Sequence, residues 1–249
     1  MRKKVLVTGG GRGVGAAIVT ALASSGFDVD LTVRNSVDEA TALIAALKDS
    51  HPEATVSARR LDLADQGSLE IFADAIEQEG FYGLVHNAGQ PYDVLAAVMA
   101  QDKAEAAMQV NFWSLTRLAK AVLRGMIRSR GGRICVIGSV AALRGNPGNA
   151  AYAASKGALL SYCRTLAVET AKRGITVNYV APGFVDTEMM TPYAAHRTQM
   201  ETQIPAGRFA APQDVASLVQ FLMGPGASYI TGAVLPIDGG MTAMIGVHR

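Results

Sequence analysis

The chain has 249 residues, is 49% hydrophobic, and sets 23 basic against 21 acidic side chains for a formal charge of +2. That near-balance, spread without basic blocks, argues against a nucleic-acid footprint, and no stretch of about eighteen apolar residues exists to form a membrane span. Cys135 and Cys163 have no metal-ligand spacing, so no metal site is expected, and two isolated thiols suit a reducing compartment. The start Met1-Arg2-Lys3-Lys4 is basic, but the apolar run after it is too short for a signal segment. A cytoplasmic protein is the expectation.

Residues 4–8 (KVLVT) are a β-branched run closed by glycines, as in a buried strand. An Ala-rich helix over 13–25 follows and breaks at Gly26. The alternation then repeats, with strands near 28–33, 54–60, 82–86, 132–138, 175–180 and 232–237. Helices are expected near 37–49, 66–79, 102–129, 150–173 and 212–222. Several strands are apolar on both faces, as parallel strands covered by helices are. The expected fold is α/β, a Rossmann-type doubly wound parallel sheet of about seven strands, forming a single domain over 1–249.

Residues 182–211 break the pattern with Pro182, Pro192 and Pro205, and Pro212 follows directly. They come after the sixth strand, at the carboxyl edge where such sheets bind ligands. Phe184, Met189, Met190, Tyr193, Met200 and Ile204 give the segment near 184–211 the character of a substrate lid. An ordinary surface excursion is the other reading.

Thr8-Gly9-Gly10-Gly11-Arg12-Gly13-Val14-Gly15 joins the first strand to the first helix. Glycines there permit a tight turn and let the backbone approach a pyrophosphate resting on the helix N-terminus. The spacing differs from GxGxxG and lacks the Lys-Ser/Thr ending of a nucleoside-triphosphate loop. Where an NAD-binding fold places a carboxylate, the second strand instead ends Thr32-Val33-Arg34-Asn35-Ser36. Arg34 and Arg12 fit a 2′-phosphate, so NADP(H) is the expected cofactor, although exposed arginines are also common without such a role.

Tyr152 and Lys156, in AYAASKGALLSYCRTLAVETAKR, share one face of an expected helix. An ammonium beside a phenol favours the phenolate, so the Tyr152 pKa should fall below about 10. That suits Tyr152 to proton transfer in carbonyl–alcohol chemistry. Taken alone, the pair is equally a core tyrosine beside a solvated lysine.

In this company the chain resembles the short-chain dehydrogenase/reductase family over residues 4–240. The matching residues are TGGGRGVG (8–15), Asp62 with Leu63, Asn87-Ala88-Gly89, Asn111, Ser139, Tyr152 with Lys156, and Asn178 before Pro182-Gly183. The resemblance implies that Tyr152 is the general acid and that Lys156 lowers its pKa and holds the nicotinamide ribose. It makes Ser139 the hydrogen-bond donor to the substrate carbonyl and Asn111 the support of a water relay to Lys156. Asn87, Ala88 and Gly89 would line the adenosine side, and Asp62 would meet the adenine amino group. Pro182, Gly183, Val185 and Thr187 would edge the nicotinamide, with Thr187 on its carboxamide. His86 departs from the Asn-Asn-Ala-Gly common in the family; its imidazole is expected to change local packing, not activity.

Within the family the segments 130–159, 172–189, 204–216 and 228–241 are similar to the bacterial 3-oxoacyl-[acyl-carrier-protein] reductases. That resemblance implies NADPH-dependent reduction of a 3-oxoacyl group, in fatty-acid, polyketide or polyene synthesis. It also implies docking of an acidic acyl-carrier protein at Arg130 and Arg173 beside the active-site mouth, and a homotetramer. Phe112, Trp113 and Leu115 would supply apolar interface, or else face the chain's own core. The alternatives are a reductase of free small ketones, sugars or steroids, and a non-enzymatic NADP(H) sensor or scaffold.

Overall fold

A computed structural model describes residues 2–244; Met1 and residues 245–249, the ends of the expected domain span, lie outside the described residues. The strands are β1 (Lys4–Thr8), β2 (Asp28–Val33), β3 (Val56–Arg60), β4 (Gly83–His86), β5 (Gly132–Ile137), β6 (Ile175–Pro182) and β7 (Val234–Ile237). All pair in parallel, in the order β3-β2-β1-β4-β5-β6-β7. The order reverses between β1 and β4, and a crevice opens beyond their carboxyl ends. Thr8, His86 and the residues after Ile137 and Pro182 all meet there.

The helices are α1 (Gly13–Ser24), α2 (Val37–Ser50), α3 (Gln66–Ile76), α4 (Gln101–Met108), α5 (Ser114–Ser129), α6 (Ala150–Thr170), α7 (Arg197–Glu201) and α8 (Pro212–Met223). Strand residues alternate between the two sheet faces. Val5, Val7, Val29, Leu31 and Val85 pack against α1, α2 and α8. Leu6, Leu84, Ile134, Val136 and Tyr179 pack against α3, α5 and α6. Among the described residues no helix is long and apolar enough to cross a membrane.

The helix expected over 102–129 is not uniform. A π-helical turn, Gln109–Trp113, separates α4 from α5. It carries Asn111, and such turns gather at functional sites. Leu115 is fully buried in the chain's own core, Phe112 packs edge-on against Trp113 and Tyr162, and only Trp113 of the three is exposed. The interface reading of Leu115 is therefore corrected.

Distant from the crevice, Asp30 is buried within an ion network. Lys4 Nζ lies 2.9 Å from Asp30 and 2.8 Å from Glu79, and Arg59 bridges the same two carboxylates. Hydrogen bonds from Arg59, reinforced by Lys4, hold the Glu79 carboxyl down at about 2, from a usual 4.5. A depressed carboxylate stabilises the fold above its unfolded pKa and loses that contribution as pH falls toward its folded value. With part of the side chain in water, the contribution is about 1–2 kcal/mol. Glu79→Gln should therefore lower Tm at neutral pH, and the gap from wild type should narrow below about pH 4.5. A gap that stays constant on acidification would contradict this account.

Candidate active site

The turn between β1 and α1 is packed so closely that side chains are excluded. A Cβ on Gly15 would lie 2.0 Å from the Gly9 carbonyl oxygen, and one on Gly11 would lie 2.7 Å from Val33. Gly9 and Gly13 adopt left-handed backbone (φ 64° and 54°). Asn87 Nδ2 donates to the carbonyls of Thr8 (3.2 Å) and Gly9 (2.9 Å), clamping the turn onto the end of β4. The result is a bare backbone cradle at the N-terminus of α1, where N–H groups and the helix dipole favour an anion. Arg34 lies exposed beside it at the tip of β2. This cradle fits the pyrophosphate of a dinucleotide.

The catalytic candidates converge at the carboxyl ends of β5 and β6. Ser139 follows β5, and its Oγ accepts the Ala141 N–H (3.1 Å), which leaves the hydroxyl proton to donate outward. Tyr152 and Lys156 share a face of α6, as the spacing predicts. Lys156 is buried, its Nζ donates to the Ile137 carbonyl (3.0 Å), and it stands 5.6 Å from the centre of the Tyr152 ring.

The expected fall in the Tyr152 pKa is overturned in this structure. Burial pushes the phenol up to about 12; the Ser139 hydroxyl pulls it back in part, and the Asp93 carboxylate adds to the rise. Lys156 is spent on the Ile137 carbonyl instead of the phenol, and burial lowers its own pKa to about 8. Tyr152 therefore remains a loaded proton donor through the neutral range, while Lys156 loses its charge as pH rises past about 8. The kcat/KM for NADPH, which reports groups of the free enzyme, should fall on the alkaline side with a limb near 8. A profile flat between about pH 7 and 9 would contradict this assignment.

Asn111 is fully buried. Its Nδ2 donates to Ser155 Oγ (2.8 Å) and the Gln90 carbonyl (3.1 Å), and its Oδ1 accepts the Gln90 N–H (2.7 Å). Gly89 sits between this amide and the lysine: a Cβ there would be 3.2 Å from Lys156 Nζ and 3.5 Å from Asn111 Oδ1. Gly89 thus lies against the Lys156 and Asn111 side chains. His86 Nε2 lies 3.0 Å from the Asn111 carbonyl, which can only accept, so the imidazole carries its proton on Nε2. Its Nδ1, 3.3 Å from Thr8 Oγ1, accepts the threonine proton, while that oxygen accepts the N–H groups of Asn87 and Ala88 (both 3.1 Å). Burial, with Lys156 nearby, lowers the His86 pKa to about 3 and keeps the ring neutral. The sequence marked His86 only as a departure; its actual place is a bridge from the glycine turn to the Asn111 backbone.

Residues 9–242 match the family model described as Enoyl-(Acyl carrier protein) reductase. The 3-oxoacyl-[acyl-carrier-protein] reductase FabG of Vibrio cholerae is 41% identical over 96% of this chain and 97% of its own length. The chain belongs to the short-chain dehydrogenase/reductase family. Among solved structures, a variant of the actinorhodin polyketide ketoreductase with NADPH superposes with TM-score 0.90 at 28% identity, covering 98% of each chain. A gluconate 5-dehydrogenase from Burkholderia cenocepacia, in complex with NADP and tartrate, gives 0.89 at 29% identity over 98% of this chain and 96% of its own.

Other features of this short-chain dehydrogenase/reductase surround the crevice. Thr187 leans over the turn, 3.4 Å from where a Cβ on Gly13 would be, and Gly183 is fixed by its N–H to the Ile237 carbonyl (2.9 Å). Val185 is buried and bridges Ala210. The segment expected as a lid is made of 3-10 turns over Glu188–His196 followed by α7. Polar contacts that tie it down include Arg12 Nη1 to Glu188 (2.6 Å), the Tyr193 hydroxyl to Asp93 (2.5 Å) and the Ala206 N–H to the Gly239 carbonyl (3.0 Å). Arg12 is thus paired with the lid segment in this structure. Asn149 also donates to Asp93.

Asp62 turns its carboxylate to the Ala64 N–H (3.0 Å), and the cap of α3 is Asp65. Leu63 is buried and its carbonyl accepts from Gln109 (3.1 Å). Asn178 clamps the approach to β7 through Ile230 and Ala233. Arg130 and Arg173 are not beside the mouth of their own chain. Arg130 precedes β5 and Arg173 precedes β6, whereas Ser139 and Gly183 follow those strands. A six-residue strand spans about 20 Å, so the arginines occupy the opposite edge of the sheet.

Proposed function

We propose that this enzyme reduces the 3-oxoacyl group of an acyl-carrier-protein thioester to the 3-hydroxyacyl form, using NADPH, in fatty-acid or polyketide synthesis. The observation that carries this reading is the convergence of Ser139, Tyr152 and Lys156 beside the glycine cradle. Bound NADPH supplies the hydride. Ser139 donates a hydrogen bond to the ketone oxygen, Tyr152 delivers the proton to it, and Asn111 supports proton resupply toward Lys156. Thr8, Gly9, Gly11, Gly13, Val14 and Gly15 would hold the pyrophosphate side, with Arg34 on the 2′-phosphate and Thr187 on the carboxamide. The 184–211 segment acts as the lid, latched by Tyr193 on Asp93.

Oxidation of a free sugar acid, the activity named for the Burkholderia neighbour, is the competing reading. Asp93 disfavours it, since a carboxylate close enough to raise the Tyr152 pKa repels an anionic substrate. A thioester has no such charge. The deciding assay compares kcat/KM for a 3-oxoacyl-carrier protein, a free 3-oxoester and a sugar acid. Preference for the carrier-bound substrate supports the proposal, and preference for either free compound overturns it.

Docking of the acidic carrier by Arg130 and Arg173 requires a second copy whose opposite sheet edge lies beside this mouth. Exposed Trp113 and Val168 supply apolar surface for such contacts within a homotetramer. Charge reversal at both arginines should raise KM about tenfold for the carrier-bound substrate and leave the free oxoester unaffected. Equal losses on both substrates would contradict trans docking. A cytoplasmic location fits this reading.

A further inference from the structure

Tyr179 is 1% exposed and heads the fully buried side chains by volume. It lies on β6, and its ring passes over Gly138, where a Cβ would come 1.8 Å from the ring. The hydroxyl ends between the two elements that carry the chemistry. It accepts the Ser139 N–H (3.0 Å) and stands 3.1 Å from the Lys156 carbonyl and 3.3 Å from the Ser139 carbonyl. With one proton to give, it donates to the nearer, that of Lys156. A phenylalanine would fill the same volume without this link, and a buried hydroxyl is tolerated only when hydrogen-bonded. Burial pushes the Tyr179 pKa upward, so it does not ionise in the working range.

We infer that Tyr179 is a positioning residue for ketone reduction: its hydroxyl ties the Ser139 backbone to the helix bearing Tyr152 and Lys156. Ser139 follows a strand end and begins a short 3-10 turn, Val140–Ala142. Its N–H would otherwise have no protein partner fixing it relative to α6. Loss of the hydroxyl lets the Ser139 Oγ drift from the point where it and Tyr152 must meet one oxygen. An ångström of misplacement at a reacting centre is costly in rate.

The inference rests on the proposed reduction, but its test needs only a ketone that the wild type reduces with NADPH. Failure of the carrier-bound assignment therefore leaves it standing. Y179F, S139A and the double variant are compared by kcat, ketone KM, NADPH binding and Tm. Y179F is expected to lower kcat about tenfold, with ketone KM and NADPH affinity within about twofold. In the S139A background the same change should cost nothing further, because interacting residues are not additive. Unchanged kcat in Y179F overturns the inference, as does an equal loss in both backgrounds. A Y179F chain that fails to fold would assign the hydroxyl to stability alone and overturn it too.

Discussion

Tyr152→Phe should lower kcat by about 10³-fold while NADPH binding stays within about twofold of wild type. The substitution removes one hydroxyl and keeps the ring beside Lys156. The Ser139 hydroxyl meets that phenol, but Ser139 and Lys156 are each held by other partners. Lys156 is held by the Ile137 carbonyl and Ser139 by Ala141 and Tyr179. The loss would therefore report proton donation itself, not a disturbed site. Burial holds the phenol protonated, with a pKa near 12, so the donor is loaded whenever a ketone arrives. Near-wild-type turnover in Tyr152→Phe would remove Tyr152 from the chemistry.

Gly15→Ala should weaken NADPH binding by about 100-fold and lower Tm. A methyl at this position meets the Gly9 carbonyl oxygen at 2.0 Å and Asn87 Nδ2 at 2.7 Å. Both are backbone or fixed by backbone: Asn87 Nδ2 is the donor that clamps Gly9. The turn must open, and overpacking of this kind costs about 1–3 kcal/mol, occasionally more. At about 1.4 kcal/mol per tenfold, that cost falls mainly on the cradle and hence on cofactor affinity. Gly131→Ala serves as the control, because a Cβ there meets nothing within 4 Å. Fluorescence titration with NADPH reads both variants. Tight binding by Gly15→Ala would show that the cradle is not where the cofactor's pyrophosphate rests.

Much of this architecture was legible because each strand is a short β-branched run between glycines and helices. The strand expected at 28–33 has the observed limits of β2, and the Tyr152–Lys156 spacing did place both residues on one helix face. The π-helical turn at Gln109–Trp113 was not legible: one wide turn inside a long helical pattern barely shifts its periodicity. The sign of the Tyr152 shift was missed for a different reason. Spacing says that a lysine is near a tyrosine, whereas burial and the Ile137 carbonyl decide which effect wins. His86 and Tyr179 act through hydrogen bonds to backbone atoms far away in sequence, and residue types alone carry no trace of such partners. The position of Arg130 and Arg173 was within reach, since residues before two parallel strands cannot share an edge with residues after them.

The most direct test of the central claim is consumption of NADPH and, separately, of NADH with a 3-oxoacyl-carrier protein as substrate. The account predicts rapid loss of NADPH absorbance and little from NADH, because Arg34 stands at the tip of β2 where a carboxylate would serve NADH. Turnover with NADH alone, or none with either cofactor while both bind, would contradict it.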